Sequence, residues 1–325
     1  MVSPLRGTMP PDDLMIRIGV SPESFPTREA REDFYNDAGR ALYECVRGAV
    51  PHEDGQAILD FGCGTGRALR WFATEPDLRI AGCDIFAPSI EWMKSSFDPA
   101  IRLYVDDAMP PLPEADDSFD LIYCGSVFSH LTAWAPWVLE LRRVLKPGGA
   151  LVASLHGRGF WNIGLHGSRG VPWDEDGTGL LVEYYGAKFE DSWGPAVYVS
   201  EWWVREHWGR ALDIERFEPT GFAQPDNLET GQAWVVARKP RDTTPLTPAD
   251  LESPSTDPRE AVAALRGQRL AYEEVETLLL GQSEHARGLE AQAADLARRL
   301  GVVESSKSWA LTKPLRSLAQ QVRAR

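Results

Sequence analysis

The sequence predicts an α/β protein: a doubly wound, mostly parallel seven-stranded sheet with an aromatic-rich lid insertion and a C-terminal coiled-coil helix. Three observations carry that expectation. From Ala57 to His156 short apolar runs alternate with helical stretches, the pattern of a parallel sheet covered on both faces. After His156 the alternation gives way to a segment dense in aromatics. Beyond residue 258 apolar residues recur in steps of three and four.

Taken in order, residues 1–50 form an N-terminal segment and a cap helix. The first 27 residues are rich in Pro and Ser and read as loosely ordered. Thr27 then offers an N-cap, and Phe34, Ala38, Leu42 and Val46 share one helical face before Pro51 breaks the pattern. A catalytic domain is expected over 51–239. In it "AILDF", "RIAGCDI", "IRLYVDD", "SFDLIYCGSVF" and "ALVASLHG" read as strands. "GRALRWFATE", "APSIEWMKSSF" and "WAPWVLELRRVL" read as helices, the last stopped by "KPGG". Right-handed crossovers would bring the C-terminal ends of those strands to one edge, where ligands bind. A lid insertion is expected at about 157–200, and residues 160–208 hold eleven aromatics out of 32 in the chain. "VREHWGRAL", "DIERFEP" and "GQAWVVARK" resume a helix–strand–strand pattern that would complete the sheet.

Residues 240–258, rich in Pro, Thr, Ser and Asp, read as a linker unable to pack a core. The seam at 265, 268, 272, 275, 279, 282, 286, 289, 293, 296, 300 and 303 reads as a coiled coil over 259–305. The alternative is a helix folded back onto the catalytic domain. Residues 306–325 form a basic tail, with Lys307, Lys313, Arg316, Arg323 and Arg325 and no acid.

A net charge of −14 argues against nucleic acid as a partner, since phosphate contacts need a basic surface. The four cysteines form no CxxC pair and read as small core residues in a reducing compartment. With no apolar run of transmembrane length and no signal-like start, the expected location is the cytoplasm. Nothing resembles a metal-binding cluster.

The chemistry starts at "FGCGTG". A triphosphate-binding loop needs Gly-Lys-Ser/Thr, but here Gly66 is followed by Arg67 and Ala68. A dinucleotide loop needs G-x-G-x-x-G, whereas Gly62, Gly64 and Gly66 alternate. Asp84 ends the second strand 20 residues after Gly64, where a carboxylate can accept from ribose hydroxyls.

With "ILDFGCGTG", "GCDI", "VDDAMPPLP", "SFDLIYCGSVFSHL" and "RVLKPGGALVAS" in order across 57–156, the sequence resembles the class I S-adenosylmethionine (SAM)-dependent methyltransferases. The resemblance implies a Rossmann-like methyltransferase fold with SAM as cofactor. It implies that Asp60 and the backbone of Gly62, Gly64 and Gly66 hold the amino-acid end of SAM. Asp84, with Ile85 beside it, would take the ribose hydroxyls. Asp107, with Ala108, would meet the adenine amino group, Asp106 being the second choice, and Ser126 would line the methyl-donor pocket. Phe86 and Met109 flank the adenine site or belong to the core. An alcohol acceptor gains from a base. His130 and His156 follow the fourth and fifth strands and are either that base or hydrogen-bonded structural histidines; His166, Asp174 and Glu175 are weaker candidates.

The aromatics of the insertion fit either stacking against sugar rings or a small lid core. "YVSEWWVREHWGRALDIERFEPTGF", then "QAWVVARKP", resembles the distal half of methyltransferases found with bacterial polysaccharide assembly, with Gln232 kept from a Gln-Asp pair whose Asp is missing. The tail "SSKSWALTKPLRSL" resembles one on glycosyltransferases and methyltransferases of O-antigen and related polysaccharides. The expected acceptor is therefore a sugar hydroxyl of a surface glycan or its precursor. The alternatives are a small secondary metabolite, or a non-catalytic coiled-coil scaffold in a glycan-assembly complex. Expected partners are a second copy or a glycosyltransferase through the coiled coil, and an anionic membrane surface through the tail.

Overall fold

The interior strand β1 (Ala57–Phe61) is buried along its whole length, which is why "AILDF" runs apolar without alternation up to Asp60. The computed structural model describes residues 9–51, 55–163, 167, 170–183, 195–223, 231–241 and 244–273, with 276, 292, 294 and 295 besides. Around β1 stand β2 (Arg79–Asp84), β3 (Arg102–Val105), β4 (Phe119–Cys124) and β5 (Leu145–Leu155), all parallel. A lid hairpin pairs β6 (Leu180–Glu183) with β7 (Ala196–Val199). The main sheet ends in β8 (Asp213–Glu218) and β9 (Ala233–Arg238), β9 inserting antiparallel between β5 and β8. The order is β3-β2-β1-β4-β5-β9-β8, so the sheet is seven-stranded and mostly parallel, as expected. The direction of winding reverses between β1 and β4, and open α/β sheets take their ligands beyond the C-terminal strand ends at such a point.

The helices fill both faces. On one side lie α2 (Arg28–Ala49), the single turn α3 (Leu69–Phe72) and α4 (Ala87–Ser96), packing Leu42, Val46, Phe72, Ile90 and Met93 against β1, β2 and β4. On the other, α5 (Trp134–Val144) buries Trp137, Val138 and Leu141. Two expectations shift here. The Thr27 hydroxyl does accept the Ala30 N–H at 3.1 Å, but the buried face of α2 is Tyr35, Gly39, Leu42 and Val46. Phe34 instead stacks on Phe25 outside the core, 4.3 Å between centroids. The helix expected after the glycine loop shrinks to α3, because Gly64 and Gly66 sit at φ +54° and +73°, outside the helical region. "KPGG" does end α5, and it also belongs to β5, whose register shifts between Phe119 and Leu121 of its neighbour β4.

The N-terminal residues 9–27 are not loose. They form α1 (Asp12–Arg17), with Met15 and Val20 fully buried, and Asp12 is paired with both Arg28 and Arg31. The lid contributes α6 (Arg158–Ile163) as well as the hairpin. It is followed by α7 (Glu201–His207) and a 3-10 turn at Trp208–Arg210. Trp161, Tyr198, Trp202, Trp203 and Trp208 are all buried, so these aromatics are lid and domain core rather than a sugar-stacking surface.

The segment read as a linker packs too. It folds into α8 (Pro248–Glu252), capped by reciprocal Thr247–Asp250 bonds and with Leu251 fully buried. Arg210 donates to the carbonyls of Asp250, Leu251 and Ser253. Residues 258–268 begin α9, which leans on the lid through Arg259–Asp176 and Arg266–Asp174 ion pairs. Its first turns thus follow the folded-back alternative, with Val262 and Leu265 left exposed. The chain divides into units Met1–Gln268 and Arg269–Arg325. In the second, residues 269–273 are helical, with Arg269 paired to Glu273; most of the expected coiled coil and the whole basic tail lie outside the described residues. No helix among the described residues is long and apolar enough to cross a membrane.

Candidate active site

The glycine loop is shaped by hydrogen bonds to the end of β2. The amides of Gly62 and Cys63 both donate to the Cys83 carbonyl at 2.9 Å, tying the loop to β2. The Asp84 carboxylate accepts the Gly64 N–H through one oxygen and the Phe86 N–H through the other, each at 2.8 Å. Each oxygen keeps a further lone pair for a hydroxyl donor. Beneath the loop, Tyr123 on β4 donates its phenol to Asp60 Oδ2 at 2.8 Å. Gly66, with its positive φ, permits close packing, since a Cβ there would stand 2.6 Å from Met93 Sδ.

Burial shapes the charges. Asp60, 4% exposed, is pushed up to about 7 chiefly by desolvation, the Tyr123 bond opposing and the Asp84 charge reinforcing the rise. Asp84 is raised mainly by burial, against the pull of its two backbone donors. Asp106 is raised to about 6, again first by desolvation. Its Oδ1 is buried with no hydrogen-bond partner among the described residues. Asp107, by contrast, is exposed, as are Ile85, Ala108 and Met109. Of the two aspartates ending β3, the first turns inward toward Cys83 and the second stands open. Four carboxylates therefore stand at the C-terminal ends of β1, β2 and β3, and a cationic ligand beside them would favour their ionised forms against the effect of burial.

The opposite bank is built by β4, β5 and β9. Ser126, exposed and at φ +62°, donates its N–H to Ser154 Oγ at 2.7 Å and its hydroxyl to Gln232 Oε1 at 3.1 Å. Ser154 Oγ in turn donates to the same Gln232 oxygen at 2.5 Å. His130 and His156 do come together, 5.2 Å between ring centroids. His130 Nδ1 lies 3.0 Å from the Pro195 carbonyl, which only accepts, so Nδ1 carries the hydrogen and Nε2 is the basic nitrogen. Burial lowers His130 somewhat. His156 is 1% exposed, stacked flat on Phe160 at 3.8 Å, with Nδ1 lacking a partner among the described residues. Burial, then the neighbouring His130, depresses it to about 3, so it stays neutral. The lid strand closes this bank: Val197 N–H donates to the Ser129 carbonyl at 2.8 Å and Val199 N–H to that of His156 at 2.9 Å.

Two weaker candidates for the base are spent elsewhere. Asp174 accepts from Gly177 and pairs with Arg266, while Glu175 accepts from Trp173 and the Glu201 amide. His166 lies outside the described residues. Sequence reasoning missed the end of α1 as part of the site. Arg17 sits over the Phe86 ring at 4.1 Å, and a Cβ on Gly64 would stand 3.2 Å from the Ile18 methyl. It also missed Tyr123 and Ser154 and gave Gln232 no role; alternation predicts that Tyr123 is core but not that its hydroxyl reaches Asp60.

Residues 59–153 match the family model described as a methyltransferase domain. This segment is accordingly similar to methyltransferase domains. Among curated relatives, the malonyl-[acyl-carrier protein] O-methyltransferase of Hahella chejuensis is 30% identical over 137 residues, 41% of this chain and 48% of that protein. The 27-O-demethylrifamycin SV methyltransferase of Amycolatopsis mediterranei is 30% identical over 120 residues, 35% of this chain and 44% of that one. The chain thus spans about half the length of the curated relatives it matches. A solved SAM-dependent methyltransferase from Mesorhizobium loti covers 61% of this chain and 98% of its own, at 19% identity and a TM-score of 0.46.

Proposed function

We propose that the whole chain is a SAM-dependent O-methyltransferase whose acceptor is a hydroxyl, in first place a sugar hydroxyl of a surface polysaccharide or its precursor. The observation that carries the cofactor half of this reading is the Asp84 carboxylate, which organises the glycine loop and still has acceptor capacity for ribose hydroxyls. The residues fit the cofactor: a sulfonium is cationic, carboxylates stand at these strand ends, and no Lys is needed because SAM has no phosphate. Asp60 and the Gly62–Gly66 backbone would hold its amino-acid end, Asp84 its ribose, Asp107 and Ala108 its adenine, with Ser126 beside the methyl.

When bound, SAM supplies a methyl carbon on a good leaving group, open to in-line attack. This chain's residues supply position and a proton acceptor. His130 Nε2 takes the acceptor's hydroxyl proton, with the Pro195 carbonyl fixing the tautomer. His156, neutral and stacked, stabilises the ring's surroundings rather than the proton. The Ser126–Ser154–Gln232 bonds fix the turn after β4, and the lid strand covers the histidines; positioning of this kind is worth effective molarities up to ~10⁵–10⁸ M in favourable cases.

The sugar reading rests on the distal segments and the tail; Trp161 and Tyr198 of the lid, being buried core, do not add to it. A small secondary metabolite is the second reading, favoured by likeness to an enzyme named for 27-O-demethylrifamycin SV. Calorimetry with SAM and its demethylated product tests the cofactor. Glycan mass spectrometry of strains with and without the protein tests the acceptor: loss of one methyl from a surface glycan is expected, and an unchanged glycan overturns the sugar reading.

A further inference from the structure

A cavity lies apart from the active site, where the lid, α5 and the C-terminal helices meet. Its volume is about 310 Å³, within the ~300–1,000 Å³ of small-molecule sites, and none of the residues assigned to the active site lines it. Two of its walls are indoles: Trp134 of α5 and Trp203 of α7 stand at 75°, with 4.8 Å between centroids. The His207 ring forms a third, stacked on Trp203 at 4.5 Å and turned 86° from Trp134. Trp134 and Trp203 are more than nine-tenths buried, yet neither indole N–H has a hydrogen-bond partner among the described residues, where a buried one ordinarily does.

Apart from His207, the titratable groups at this cavity are carboxylates. Glu252, at the end of α8, and Glu260 of α9 line it, and among the described residues no Lys or Arg does. Glu260 Oε2 lies 3.1 Å from His207 Nε2. Glu252 makes no hydrogen bond or ion pair among the described residues. The arginines of the neighbouring turns are held by other partners, Arg259 by Asp257 and Asp176, Arg266 by Asp174. Aromatic walls beside an unanswered carboxylate disfavour an anion and attract an organic cation, whose apolar groups cover the rings while its charge meets their faces.

We propose that this cavity binds a small organic ammonium ion, quaternary in first place, with Trp134 and Trp203 as its walls and Glu252 as its counter-ion. The site is independent of the SAM-dependent reading above. Small residues keep the space open: Gly179, just before β6, and Ala263 and Ala264 of α9 also line it. A Cβ on Gly179 would stand 3.1 Å from both Ala263 Cβ and Trp203 Cδ1. An occupant therefore touches the lid and α9 together, and its binding stabilises their junction.

The test is calorimetry on the full chain with two probes of one shape: choline, and 3,3-dimethylbutan-1-ol, in which carbon replaces the charged nitrogen. Choline is expected to bind about tenfold tighter than the alcohol. Glu252→Gln should weaken choline about threefold and leave the alcohol within twofold. Ala264→Phe, which fills the cavity from an exposed helix position, should abolish binding of both. Melting temperatures show that each variant is folded. Choline binding is expected to persist when S-adenosylhomocysteine is present in excess. Its loss there puts the ammonium in the active site and overturns the proposal. So do absence of choline binding, equal affinities for the two probes, or unweakened choline binding by either variant. The SAM reading stands or falls separately, on the S-adenosylhomocysteine titration alone.

Discussion

Gly39 of α2 lies against the Arg67 carbonyl so closely that a methyl group on it would collide with that oxygen. The helix and the glycine loop are thus in backbone contact, with no side chain between them. Helix propensity alone favours Gly39→Ala by about 1 kcal/mol. The contact reverses the sign: the variant is expected to be destabilised by roughly 1–3 kcal/mol, the usual range for overpacking. Urea unfolding monitored by circular dichroism measures it, and a gain in stability would contradict the packing.

Asp60 makes the ligand-free protein sensitive to pH. Its carboxyl is raised to about 7 from an ordinary 3.8, so the folded state holds a proton that the unfolded chain has lost between those values. Stability should therefore fall as pH rises from about 4 to about 7, with Asp106, raised to about 6, adding in the same direction. Melting temperatures across that range give the slope, and Asp60→Asn should flatten it. Tyr123→Phe removes a bond that favours the ionised form, so its fall should extend to higher pH.

Replacement of Asp84 strikes two structures at once. Asp84→Ala frees the amides of Gly64 and Phe86 as well as the proposed ribose contact. Bonds to a charged acceptor are worth about 1.5–3 kcal/mol each, so SAM affinity should drop at least tenfold. Asp84→Asn keeps only part of the acceptor set and should fall between. Calorimetry on all three proteins checks the order.

The two histidines should separate kinetically. His130→Ala is expected to slow labelled-methyl transfer to envelope extracts ~10²–10⁴-fold while S-adenosylhomocysteine still binds. His130 is lowered from 6.5, so the rate should already be on its plateau at that pH and decline only on further acidification. His156→Phe, replacing a neutral stacked ring with another, should stay within about tenfold of wild type.

Truncation distinguishes the two parts of the C-terminal helix. A chain ending at Gln268 keeps the Arg259–Asp176 and Arg266–Asp174 pairs, and its melting temperature should match that of the full chain. A chain ending at 257 loses those pairs and the His207–Glu260 contact at 3.1 Å, and should melt several degrees lower.

Most of the sheet was legible because its signal is local. The bounds of β1 coincide with "AILDF", and those of β2, β4 and α4 fall within a residue or so of their apolar runs apart from the extended end of the β4 stretch. What escaped depends on partners distant in sequence. Nothing in residues 12–17 says that Asp12 will find Arg28 and Arg31, and the polar linker hides the two leucines, Leu246 and the fully buried Leu251, that anchor it. The same holds at the site. Sequence order points to Asp60, Asp84 and the glycines, whereas the Tyr123–Asp60 and Ser154–Gln232 bonds cross 63 and 78 residues.

The Gln232 oxygen that receives both Ser126 and Ser154 arrives late in synthesis. Strands β1 to β5 leave the ribosome first, yet the turn after β4 stays unbraced until residue 232 emerges and β9 slides in beside β5. A nascent chain stalled before that point holds the glycine loop and Asp84 but not the finished bank opposite. The bank is completed only by β9, the last strand in chain order among the described residues.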